Sequence, residues 1–134
     1  MSQLASRGIN SYRQTEVQSR TPLELVVMLY DGALRFTRDA REAMVRRDIR
    51  ARQQKISRAL EIVSELQSTL DLESGGELAL QLDQLYEFIR DRLIEASLKQ
   101  DLRPLDEAHR VLTTLREGWV GISASATQMR SAAR

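Results

Sequence analysis

Residues 21–46 read TPLELVVMLYDGALRFTRDAREAMVR, and this stretch decides the fold. Thr21 offers a hydroxyl to cap a helix, Pro22 suits a first turn where no N–H is lost, and Glu24 completes a capping box. No further proline and a single glycine follow before Arg46, so the helix is predicted to run that far. Its opening is apolar almost all round. Leu23, Val26, Val27 and Tyr30 fall on one side, and Leu25, Met28, Leu29 and Phe36 on the other. One core face cannot cover both sides, so something beyond a single core face must lie against this helix.

Outward from it, Asp48 before Ile49 starts a second helix predicted to reach about Leu70. Asp71-Leu72-Glu73-Ser74-Gly75-Gly76 breaks the pattern, because paired glycines favour non-helical backbone and Asp and Ser compete for local hydrogen bonds. A third helix is expected over Glu77–Leu98 and a fourth over Pro104–Ile122, with the break between them near Gln100. Residues 1–20 show no sustained period and read as an irregular cap arm anchored by Ile9, Tyr12 and Val17. Residues 123–134 are small and polar and read as a flexible tail. The expected architecture is all-α: an antiparallel four-helix bundle over 21–122 with an irregular N-terminal cap arm.

At 100° per residue the fourth helix places Leu105, Ala108, Val111, Leu112, Leu115 and Trp119 on one stripe. The third carries Leu78, Leu82, Leu85, Ile89, Leu93 and Ala96 on a core stripe, with Leu80, Ile94 and Leu98 on the opposite side. The second carries Ile56, Leu60, Val63 and Leu70, while Ile62 and Leu66 extend its apolar face round one flank. Leu60, Val63, Leu85, Ile89, Val111, Leu112 and Leu115 are therefore expected to be buried together, and Ile62, Leu66, Leu80, Ile94 and Leu98 to form surplus apolar surface. Such surplus marks either a partner groove or a face covered by the arm or by a second subunit.

The net charge of +1 hides two opposed segments. From Arg35 to Arg58 nine basic residues face three acids, and from Glu61 to Glu107 twelve acids face four bases. The basic stretch lacks interleaved aromatics or a recognition motif, so nucleic-acid binding is not expected. The absence of cysteine rules out a disulfide framework and thiolate metal sites. The start of the chain lacks the apolar run of a signal peptide and no stretch approaches a membrane span, so a cytoplasmic protein without membrane insertion is expected. His109 is the sole histidine, and Asp106-x-x-His109 is at best half of one carboxylate–histidine unit where a di-iron bundle needs two. No phosphate loop, nucleophile elbow or zinc-protease motif is present, so neither an enzyme nor a cofactor is expected.

Several segments together resemble one family. Gly8-Ile9-Asn10-Ser11-Tyr12 in the arm, Thr21-Pro22-Leu23-Glu24-Leu25 at the cap and Met28-Leu29-Tyr30-Asp31-Gly32-Ala33 in the first helix are similar, in order and spacing, to the flagellar export chaperone FliS. Leu70-Asp71-Leu72 followed by Gly75-Gly76-Glu77-Leu78, then Leu85-Tyr86 and Leu112 to Trp119, extend the likeness over about residues 8–122. Thr21 and Ser97 depart from it, where serine and asparagine are common. The resemblance implies a four-helix bundle that holds the C-terminal segment of flagellin in apolar grooves before secretion, handing it to the flagellar export gate. Carried over onto this chain, it makes Ile9, Tyr12, Tyr30, Asp31 and Gly32 candidate partner-binding residues beside Ile62, Leu66, Leu80, Ile94 and Leu98. A monomer or weak dimer is expected in the free state, and a structural helical dimerisation module is the competing reading.

Overall fold

The computed structural model describes residues 20–132. They form four helices: α1 (Pro22–Arg46), α2 (Ile49–Ser68), α3 (Gly76–Lys99) and α4 (Leu102–Ala132). Each boundary has a local cause. Thr21 is extended and its hydroxyl accepts from the Glu24 N–H at 3.1 Å, with Pro22 in the first turn. Arg47 ends α1 in the left-handed region, so that its own N–H reaches the Met44 carbonyl and that of Asp48 reaches Ala43. Asp48 then caps α2 by accepting from the Ala51 N–H at 3.1 Å.

The α2–α3 loop is folded round Asp71, whose carboxylate accepts from the N–H groups of Glu73 and Ser74 and from the Ser74 hydroxyl. These bonds hold its pKa below the usual carboxylate range. Both glycines are needed, for different reasons. A Cβ at Gly75 would lie 2.4 Å from the Asp71 carbonyl oxygen, and Gly76 has a φ of +63°.

The ends of α2 and α3 fall within two residues of expectation, and the larger departure is in α4. α4 starts at Leu102 rather than Pro104, because a proline in the first turn sacrifices no hydrogen bond. It also continues past Ile122 to Ala132: no proline interrupts this stretch, and its alanines favour helix.

Each helix packs against its chain neighbours, and α4 closes on α1 to complete a ring. Cross-helix pairs fix an antiparallel register. Asp31 pairs with Arg116, Thr37 with His109 and Arg41 with Asp106, so residue numbers rise on α1 as they fall on α4. Ser64 with Arg90 and Gln67 with Glu87 do the same for α2 and α3.

The core is built from Tyr30, Ala33, Leu34 and Ala40 of α1; Ile56, Ala59, Val63 and Leu66 of α2; Leu82, Tyr86, Ile89, Leu93 and Ala96 of α3; and Leu105, Ala108 and Leu112 of α4. Val63, Ile89 and Leu112 are buried as expected, while Leu60, Val111 and Leu115 pack half-buried at its edge. Leu85 and Leu78 do not join it: they are 37% and 63% exposed. The buried line on α3 runs Ala79, Leu82, Tyr86, Ile89, Leu93 and Ala96, so Tyr86 takes the place expected for Leu85. Leu66 is likewise core, at 1% exposure, rather than surplus surface. On α2 the buried positions step by three and four through Ile56, Ala59, Val63 and Leu66, and small Ala59 on the axis moves Leu60 to the flank.

Candidate functional site

The residues proposed from sequence separate into three groups. Ile9 and Tyr12 lie outside the described residues. Tyr30, Gly32 and Leu66 are inside the bundle and cannot be touched by a partner without moving a helix. Asp31 and Ile62 are half-exposed, and Leu80, Ile94 and Leu98 stand at the surface of α3.

Burial of Tyr30 has a polar cause. Its hydroxyl is 2.6 Å from that of Tyr86 and accepts from the Trp119 indole N–H at 3.2 Å, so α1, α3 and α4 meet at one oxygen. Burial pushes both phenols up in pKa, and for Tyr86 the hydrogen bond with Tyr30 adds to the effect. Gly32 serves closeness: a Cβ there would stand 3.0 Å from Ile62 Cδ1, so the missing side chain lets Ile62 lie over α1. Ile62 therefore belongs to the α1–α2 seam and not to the α3 surface. Beside Gly32, Asp31 forms an ion pair with Arg116 of α4.

The apolar surface of α3 divides along the bundle. Leu80, Ile94 and Leu98, at 52%, 41% and 79% exposure, line the outer side towards α2. Leu80 and Ile94 are 14 positions apart and so separated by about 21 Å of helix. Between them the seam is polar: Gln67 donates to Asp83 at 2.9 Å and to Glu87 at 2.7 Å, and Arg90 donates to Ser64. Leu85 and Phe88 fall on the side towards α4, where Arg92 lies over the Phe88 ring and reaches Glu107 at 3.9 Å. Periodicity gives no hint of Phe88, because it stands apart from both the core line and the Leu80–Leu98 line of the same helix. At the start of α1, Leu23, Leu25, Val26, Val27, Met28 and Leu29 are all half-buried, and none is fully enclosed.

His109 donates through Nδ1 to Thr37 Oγ1 at 2.7 Å, since the Thr37 proton is committed to the Leu34 carbonyl at 2.9 Å. Burial and the nearby Arg38 charge hold its pKa low, against the opposing pull of Asp106. Among the described residues, no three His, Cys, Asp or Glu side chains gather in a metal-binding group, and no helix is long and apolar enough to cross a membrane.

Comparison with known proteins places this geometry. The family model for flagellar protein FliS matches residues 5–126. The chain is 37% identical over 123 residues to the flagellar secretion chaperone FliSB of Pseudomonas aeruginosa, covering 89% of this chain and 98% of that one. It is 34% identical over 129 residues to the flagellar secretion chaperone FliS of Salmonella typhimurium, covering 92% and 96% respectively. The Bacillus subtilis protein of the same name is 33% identical over 109 residues, covering 81% of this chain and 80% of its own length. A complete helical core, apolar side chains left over on α3, and family likeness from the arm into the last helix lead to one assignment: the chain belongs to the FliS family of flagellar proteins.

Proposed function

We propose that this protein is a flagellar secretion chaperone, not an enzyme, that binds the C-terminal segment of flagellin in the cytoplasm and keeps it from polymerising until the export gate receives it. The observation that carries the reading is the exposure of Leu80, Ile94 and Leu98 on a helix whose opposite face already completes the core. A soluble helix gains nothing from three large apolar side chains in water, whereas an amphipathic partner helix laid across them buries both surfaces. Ile62 at the α1–α2 seam and Asp31 at the α1–α4 seam, with Ile9 and Tyr12 of the arm, complete the proposed contact set. The relatives' names, secretion chaperones all three, support the same activity.

Co-expression with flagellin tests this. A soluble one-to-one complex is expected, and flagellin lacking its C-terminal segment should fail to form it. Leu80→Glu and Ile94→Glu should abolish the complex while leaving the helical circular dichroism intact. A stable dimer by light scattering that ignores flagellin would instead establish the dimerisation module.

A further inference from the structure

At the end of the bundle where α1 turns into α2 and α3 into α4, a cavity of about 370 Å³ opens, with Arg47, Asp48, Ile49, Arg52 and Gln100 on its lining. Arg52 is its unusual member. The side chain is 7% exposed, and among the described residues nothing accepts a hydrogen bond from its Nε. A buried N–H short of an acceptor destabilises the chain that carries it, and an apolar side chain of similar volume would avoid that cost. Asp48 does not satisfy it: one carboxylate oxygen caps the Ala51 N–H at 3.1 Å and the other faces Arg46 at 3.8 Å.

The surroundings favour an anion. Residues 46–52 contain four arginines, Arg46, Arg47, Arg50 and Arg52, against Asp48 alone, and the positive end of α2 points to this side. The neighbourhood is not purely ionic. Val45 and Ile49, on either side of the turn, are 62% and 54% exposed. A free inorganic anion would leave both in water, whereas a peptide would cover them while its acid enters the cavity.

We propose that this cavity is a carboxylate-binding site, in which Arg52 receives an acidic side chain of a protein partner whose flanking apolar residues cover Val45 and Ile49. The proposal concerns the charged turn between α1 and α2 and does not rest on the flagellin reading.

The test titrates the intact, isotope-labelled protein with the peptide acetyl-Leu-Asp-Leu-amide, following the Arg52 Nε–H resonance, and repeats the titration with the Asn analogue and with sodium phosphate at matched ionic strength. The acidic peptide should bind about tenfold tighter than its Asn analogue, the margin of one hydrogen bond to a charged group. Arg52→Met should melt no lower than the parent, because it removes a buried N–H without an acceptor, and should erase the difference between the peptides. Equal response to the two peptides overturns the proposal, as does phosphate reproducing the shift, which would make this a general anion site. Should Arg52→Met fail to fold, the peptide pair on the parent protein decides alone.

Discussion

The phenol oxygens of Tyr30 and Tyr86 stand 2.6 Å apart at the centre of the bundle, joining two helices that face each other across the ring. Tyr30→Phe leaves the Tyr86 hydroxyl without its partner, and orphaning a buried hydroxyl costs about 1–3 kcal/mol, whereas Tyr86→Phe leaves Tyr30 still bonded to Trp119. The double variant Tyr30→Phe/Tyr86→Phe should lose less than the sum of the single losses, because neither hydroxyl is then left behind. Urea unfolding midpoints measure this, and strict additivity would mean that the two oxygens do not interact.

The same pair predicts alkaline sensitivity. Both phenols are raised by burial, so the unfolded chain loses its protons first, from about pH 10. Stability from these groups is complete below that pH and is lost as pH rises above it. Thermal melts between pH 9 and 11 should fall less steeply for Tyr86→Phe than for the parent.

Leu66 and Leu98 separate core from surface. Leu66→Ala empties a fully enclosed site and should cost about 2–5 kcal/mol. Leu98→Ala, on a side chain 79% exposed, should change stability by less than about 0.5 kcal/mol. Equal losses in chemical denaturation would contradict this assignment.

His109 should make the bundle weaken under mild acid. Its folded pKa is held low by burial and Arg38, so the contribution is intact above the unfolded value of about 6.5 and fades as pH falls through the folded one. His109→Gln should flatten the decline in melting midpoint over that interval. An unchanged slope would assign the decline to carboxylates.

The helices were legible because their punctuation is local: Thr21, Pro22, Asp48 and the paired glycines each act within a few residues. Phase on α3 was less so. Leu85 and Tyr86 are neighbours, both capable of burial, and hydrophobicity alone prefers leucine. What selects Tyr86 is a hydrogen-bond partner on another helix, the Tyr30 hydroxyl, which no periodicity can reveal. Leu66 was misplaced for a related reason, since Ala59 counts little in an apolar stripe yet fixes how closely α2 can approach its neighbours. Leu80, Ile94 and Leu98 were readable as surplus because they oppose a full core line on the same helix, a comparison that needs no tertiary knowledge.

The pairing of Asp31 with Arg116 and Arg41 with Asp106 sets the first helix against the last. Ribosomes deliver a chain from its N-terminus, so α1 is made long before the helix that covers this flank. The ring cannot close until α4 has left the exit tunnel, and the contacts that close it carry the longest loops and the largest closure entropy. Through that interval the α4-facing flank of α1 stands uncovered, and the protein passes through a brief form of the hazard from which it is proposed to shield another chain.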